Sequence, residues 1–495
     1  MRQLLWEPSQ ERKKQANMTH FMSFVNSKYR QRLTTYNELY NWSVENSANF
    51  WESMWEFGKI KASKSYDQVL INSAEMLEAN WFVGAKLNFA ENLLRFRDER
   101  TALIFKGETA EPVRLSYAAL YDQVARLAKS LRDIGVSAGD RIAGFMPNMI
   151  ETVIAMLAAA SIGAIWSSCS PDFGIKGVLD RFGQIQPKVL FVADGYFYNG
   201  KTFDCLEKVA GILKEIPKIE QVVVVPYTEQ EPFITHIPRA VYYKDFLAKD
   251  EGLEIEFAQL PFDHPVYIMY SSGTTGVPKC IVHGAGGTLI QHLKELILHT
   301  GLSREDKIFY FTTCGWMMWN WLISSLAIGC AIILFDGSPF YPDAGTLWKL
   351  AQEEKITVFG TSAKYLAALE KAGAKPRANY DLGSLEVILS TGSPLSIESF
   401  EYVYRDIKED VCLSSISGGT DLISCFALGN PLGPVYAGEL QCRGLGMKVE
   451  SFDSEGKPVI NQKGELVCTA PFPSMPVCFW NDPGKAKYKK AYFEL

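Results

Sequence analysis

The chain of 495 residues has no CxxC pair among its ten cysteines, only six dispersed histidines and no HExxH. Those absences argue against a zinc site or a disulfide framework and predict reduced thiols in the cytosol. Its longest apolar runs, Val153 to Trp166 and Leu322 to Phe335, are about 14 residues each, short of the roughly 20 that span a bilayer. The N-terminus, MRQLLWEPSQERKKQ, carries no apolar core of signal-peptide length. Neither sign of charge dominates: 50 basic against 56 acidic residues leave −6, which gives no electrostatic case for nucleic acid or an anionic membrane. There is no repeat period and no low-complexity tract. With 47% hydrophobic and 21% charged residues the composition is that of a folded globular protein. Its length fits about three domains of ordinary size.

One decapeptide carries most of the chemistry. In YSSGTTGVPK, Tyr270 to Lys279, a Gly/Ser/Thr-rich stretch follows the apolar run Pro265 to Tyr270 and precedes another, Cys280 to Val282. Gly273 and Gly276 let backbone N–H groups converge on phosphate oxygens. Ser271, Ser272, Thr274 and Thr275 add hydroxyl donors, and Lys279 adds a mobile positive charge. Only two residues separate Gly276 from Lys279, so this is not the GxxxxGK[ST] loop. The pattern predicts a grip for a polyphosphate.

From residue 101 short β-branched runs alternate with amphipathic stretches, which predicts parallel sheets covered by helices. Earlier, Asn41 to Phe57 reads as one helix with Trp51 and Trp55 on its core face. Four further segments stand out: TTCGWMMWNW (Thr312 to Trp321), STGSPL (Ser390 to Leu395), SISGGTD (Ser415 to Asp421) and KGELVC (Lys463 to Cys468). The second lies where a strand should end, the place at which open parallel sheets form ligand crevices. After about Gly438 the texture changes to short strands and turns.

Taken together these segments resemble the acyl-adenylate-forming superfamily, in its acetyl-CoA-synthetase-like branch. WFVGAKLNFAENLL (Trp81 to Leu94) is similar to the N-terminal segment of that branch, and PNMIETVIAMLAAASIGAIWSSCSPDFG (Pro147 to Gly174) to the helix and strand after it. With DRFGQIQPK (Asp180 to Lys188), Cys314 to Trp321 and SISGGTD, the chain most closely resembles the acetoacetyl-CoA synthetase group. The resemblance implies an α/β fold: the large N-terminal domain of an adenylate-forming enzyme, with two parallel-rich sheet subdomains flanked by helices and a small β subdomain. Expected divisions are 1–100 for the branch-specific segment, 101–437 for the AMP-binding subdomains, 438–480 for the small β unit and 481–495 for a lead-in to a C-terminal domain. That domain, a lid with its own lysine, is expected to be missing.

The implied activity is two-step: ATP-dependent activation of acetoacetate to an acyl-adenylate with release of pyrophosphate, then transfer to CoA with release of AMP. ATP, Mg²⁺ and CoA are the implied cofactor and co-substrates, in the cytosol. Alternatives are a ligase for propionate or butyrate, or a truncated nucleotide-binding pseudoenzyme. By the same resemblance Lys279, Thr420 and Asp421 are catalytic. Gly392, Ser393 and Pro394 border the adenine, Gly419 and Thr420 face the phosphates, and Asp421 holds the metal where relatives have glutamate. Acetyl-CoA synthetases carry tryptophan where this chain has Gly418, so a larger acid pocket is expected there. Met317, Met318 and Thr391 complete it, the Thr391 hydroxyl or a backbone N–H meeting the keto oxygen.

Overall fold

The β-branched runs assemble into two large sheets in the computed structural model, which describes residues 2–271 and 276–494. The first sheet has eight strands, in the spatial order Ala240–Tyr242, Gln221–Val225, Val189–Ala193, Arg141–Phe145, Ile165–Cys169, Pro265–Ser271, Lys279–Gly284 and Cys478–Phe479. Pairing is parallel as far as Pro265–Ser271 and antiparallel for the last two strands. The second has seven: Cys412–Ser415, Val387–Thr391, Val358–Ser362, Lys307–Tyr310, Ala331–Asp336, Thr101–Gly107 and Val113–Ser116. All its pairs are parallel except the edge hairpin of the last two strands. Continuous apolar strands such as Val189–Ala193, buried at every position, are what a sheet covered on both faces requires.

Between the sheets runs the helix Ile150–Ile162, in which every residue but Glu151 is buried. It packs on Thr101–Gly107 of one sheet and on Arg141–Phe145 and Ile165–Cys169 of the other. A helix apolar on all sides belongs in such a position. Among the described residues no helix is long and apolar enough to cross a membrane.

The N-terminal region departs from expectation in one respect. Asn41 to Phe57 is not a single helix; Tyr36–Glu45 and Ser47–Phe57 meet at Asn46, whose backbone is non-helical at φ −117°, ψ 48°. The Asn46 side-chain amide donates to the Trp42 carbonyl at 3.3 Å. Asparagine competes in this way with the helix's own bonding. Trp51 and Trp55 are buried as expected, and Trp55 stacks on Phe82 with ring centroids 4.7 Å apart. Within 438–480, Val449–Phe452 pairs with Glu465–Cys468. Cys442–Arg443 instead joins Ser417–Gly419 and Ser424–Leu428 in a three-stranded sheet, and Cys478–Phe479 edges the large one.

One carboxyl group spans the two sheets. Asp336 ends a strand of the second sheet and accepts a hydrogen bond from the Tyr227 hydroxyl, just past Gln221–Val225 of the first, at 3.1 Å. Burial pushes its pKa from 3.8 up to about 7; the Tyr227 bond opposes the shift, and Glu108 and Asp172 add to it. A carboxyl whose folded pKa is raised stabilises the fold below its unfolded value and loses that contribution as pH rises through the folded one. Asp336→Asn is therefore expected to flatten the fall in unfolding free energy between pH 3.8 and about 7. The difference should reach about 4 kcal/mol at the upper end of that range. Parallel stability–pH curves for the two proteins in urea denaturation would contradict it.

Candidate active site

The Gly/Ser/Thr clusters singled out in the sequence converge at one edge of the second sheet. Strands Lys307–Tyr310, Val387–Thr391 and Cys412–Ser415 run parallel, and the turns beyond their C-terminal ends enclose a cleft of about 560 Å³. Its walls are Trp316 to Met318, Thr391 to Leu395, Ser415 to Thr420 and Gly438 to Leu440, with Phe400 and Cys425. Met317, Met318, Thr391, Gly392, Ser393, Pro394, Gly418, Gly419 and Thr420 thus share one cavity. A crevice outside the carboxyl ends of parallel strands is where such sheets take ligands.

Lys279 and Asp421 lie just outside that lining, beside Thr420. The phosphate-loop segment is carried by the antiparallel hairpin Pro265–Ser271 and Lys279–Gly284, in which Ser271 pairs with Lys279. Ser272, Gly273, Thr274 and Thr275 fall outside the described residues. Gly276, at the start of the returning arm, sits at φ +86°, a conformation that favours glycine. Ser271 Oγ is buried with no hydrogen-bond partner among the described residues. Lys279 Nζ donates to Asp421 Oδ1 at 3.1 Å and lies 5.2 Å from the centre of the Tyr492 ring. The Tyr492 hydroxyl donates to the same carboxylate oxygen. Burial, followed by that bond to Asp421, raises the pKa of Tyr492, so it stays a protonated donor. Asp421 Oδ2 accepts no hydrogen bond among the described residues.

Sequence reasoning missed the group that fixes Thr420. His283 is buried on the Lys279–Gly284 strand, and burial pushes its pKa down to about 4, so the ring is neutral at physiological pH. Its Nε2–H donates to the Thr420 carbonyl at 2.8 Å. The hairpin that presents Lys279 therefore also holds the backbone next to Asp421. The available signal was only a histidine at an inward position of an apolar strand.

Two features of the structure bear on the expected acid pocket. Gly418 lines the cleft, but a Cβ built on it would lie 2.2 Å from the Ser424 carbonyl oxygen and 2.7 Å from Cys425 Cα. The missing side chain admits the backbone of strand Ser424–Leu428, with which Ser417–Gly419 pairs through a bulge. The Thr391 hydroxyl donates to the Ile416 carbonyl at 3.1 Å. Its single proton is thus engaged, and a keto oxygen would have to displace that bond to receive it. Trp316, by contrast, is 65% exposed at the rim and offers a free indole face.

A family model described as AMP-binding enzyme matches residues 89–475, and one described as acetyl-coenzyme A synthetase N-terminus matches residues 36–93. The chain is 51% identical over 499 residues to the acetoacetyl-CoA synthetase of Gallus gallus, covering 99% of this chain and 74% of that protein. To the acetoacetyl-coenzyme A synthetase of Rhizobium meliloti (strain 1021) it is 52% identical over 491 residues, covering 99% and 75%. A solved structure, the acetoacetyl-CoA synthetase from Streptomyces lividans, superposes with a TM-score of 0.94 at 41% identity, covering 99% of this chain and 76% of that one. The expectation of a missing C-terminal domain is not borne out: these shares measure alignment coverage and do not say where this protein ends. The residues that match across nearly the whole chain, with the cleft at the strand ends, place it: the chain belongs to the AMP-binding enzyme family, within its acetoacetyl-CoA synthetase group.

Proposed function

We propose that this protein activates acetoacetate at the expense of ATP and passes the acyl group to CoA. The observation that carries the reading is the pairing of Lys279 with Asp421 at one end of a cleft whose other walls, at Met317, Met318 and Cys425, are apolar. The names of the relatives point to the same acid. In the first step a carboxylate oxygen of the acid attacks the α-phosphorus of ATP. The bond from that phosphorus to the bridging oxygen breaks, and pyrophosphate leaves with its electrons. The mixed anhydride so formed has a carbonyl carbon that the CoA thiolate attacks in the second step, expelling AMP.

Each residue has a distinct task. The Lys279 ammonium swings from Asp421 to the phosphate oxygens and offsets the charge that gathers there. Ser271 Oγ, buried without a described partner, supplies a hydroxyl donor at the base of the loop. The Thr420 hydroxyl faces the same oxygens, its backbone held by His283. Among the described residues no three His, Cys, Asp or Glu side chains are grouped to hold a metal ion. The Asp421 carboxylate nonetheless fits Mg²⁺, which is commonly held by one or two carboxylates plus substrate phosphates. Its Oδ2 accepts no hydrogen bond among the described residues, and the ion, when bound, would supply further neutralisation of phosphate charge. Gly392, Ser393 and Pro394 border the base. The free cysteines of the chain fit a reducing cytosol.

One observation favours a second reading, butyrate or propionate: the walls at Met317, Met318 and Cys425 are apolar, and the Thr391 proton is already donated to Ile416. The test is acid-dependent ATP–pyrophosphate exchange with acetoacetate, acetate, propionate and butyrate. The highest kcat/KM is expected for acetoacetate. A maximum for butyrate or propionate would replace the substrate and keep the chemistry, and a maximum for acetate would overturn both readings.

A further inference from the structure

The helix that follows the phosphate-loop hairpin carries a carboxylate the reaction itself does not use. Ala285–Leu293 continues into a π-helical turn, Lys294–His299, in which Lys294 and Glu295 form an ion pair at 3.3 Å with both side chains 0% exposed. Turns of this kind recur at functional sites. Taking two charges out of water is costly unless their remaining hydrogen-bonding capacity is met. Glu295 meets its capacity from two directions. Oε2 accepts the indole N–H of Trp321 at 2.9 Å, and Trp321 lies on Met317–Ile323, the helix that presents Met317 and Met318 to the cleft. Oε1 accepts the Cys425 backbone N–H at 3.1 Å and the Ser424 hydroxyl, both on the strand packed against Gly418.

A second link of the same span runs one turn earlier. His292, buried and held neutral by a pKa pushed down to about 4, donates from Nε2 to the Ile423 carbonyl at 2.7 Å. Its Nδ1 faces the Ser324 hydroxyl, just past the end of Met317–Ile323, at 2.8 Å. Ile423 sits at φ +49°, a conformation that β-branched residues avoid. Such a residue persists only where its surroundings over-determine it. Both links therefore join the same two walls of the cleft and fix one of them in a backbone conformation it would not choose alone.

We infer that Glu295 is a specificity-determining positioning residue: by bridging Trp321 to Ser424 and Cys425 it sets the separation of the two walls between which the acid chain lies. Dispersion contacts fall off steeply over fractions of an ångström, so a wall that relaxes outward loses its ability to tell acids apart. Discrimination by one methylene in an apolar pocket is worth about 10–200-fold, and that is the quantity at stake.

The inference rests on the acid activation proposed above. The experiment compares the whole chain with Glu295→Gln, Trp321→Phe and Ser424→Ala, reading kcat/KM for acetoacetate and for 3-oxopentanoate, one methylene longer, by ATP–pyrophosphate exchange, and KM for ATP. Glu295→Gln removes the charge that pairs Lys294 and, with its carbonyl kept toward Ser424 and Cys425, turns an amide N–H₂ against the Trp321 N–H. Trp321→Phe keeps a ring and the ion pair but cuts one arm of the bridge, and Ser424→Ala weakens the other. The ratio of the two acids is expected to move about tenfold in Glu295→Gln and Trp321→Phe, with KM for ATP within about twofold of wild type. Equal losses for both acids with the ratio unmoved, in whichever of the three variants fold, would overturn the role of Glu295. A wild-type protein without acid-dependent exchange would instead refute the activity on which this role depends.

Discussion

Acid-dependent ATP–pyrophosphate exchange is expected to fall by about 10²–10³-fold when Lys279 is replaced by alanine, the scale of losing one preorganised charged donor to a transition state. The loss should appear mainly in kcat, because the ammonium is needed most where charge develops on the reacting phosphates. Stability should hardly change. The Lys279 and Asp421 side chains are 30% and 37% exposed, and ion pairs in that setting contribute about 0–1 kcal/mol. Lys279→Arg keeps the charge but spreads it over a planar fork, so it should recover part of the rate and not all of it. Exchange kinetics with saturating acid, alongside urea denaturation of each variant, separate the two effects. An alanine variant with wild-type exchange would show that the triphosphate is gripped elsewhere.

The second large effect concerns Gly418, and its direction differs from what motif comparison alone suggests. If the glycine stood for an empty space, tryptophan there would shrink the pocket and turn the protein toward acetate. The structure predicts otherwise. A Cβ on Gly418 meets the Ser424 carbonyl at 2.2 Å, an approach that only backbone displacement can relieve. Gly418→Ala is expected to lose about 1–3 kcal/mol of unfolding free energy, the range for forcing extra atoms into a packed site. It should lose exchange activity with every acid, since Cys425, next to Ser424 on the displaced strand, lines the cleft. Gly418→Trp should be worse on both counts. A stable, active Gly418→Trp protein that prefers acetate would prove that the side chain does turn into the cavity.

These two residues also mark where sequence reasoning succeeds and where it stops. Local structure was legible: the strand that ends at Ser271, and the clusters at 312–321, 390–395 and 415–421, which the fold gathers at the ends of parallel strands. Such features are encoded locally, because a glycine, a hydroxyl or a β-branched run acts on the few bonds around it. The break at Asn46 escaped because apolar spacing continues across it while one side-chain amide interrupts the helix.

What the sequence by itself determined is the family, the alternation of strand and helix, and the polar clusters at 390–395 and 415–420 that the fold gathers around one cleft. Only the tertiary structure decided that Lys279 pairs with Asp421, 142 positions away, that His283 holds Thr420, and that Glu295 receives donors from both walls. It also decided that the bare face of Gly418 turns toward a neighbouring strand. Those arrangements depend on the register and direction of segments far apart in the chain, and a glycine, having no side chain, gives no sign in the sequence of which way one would point.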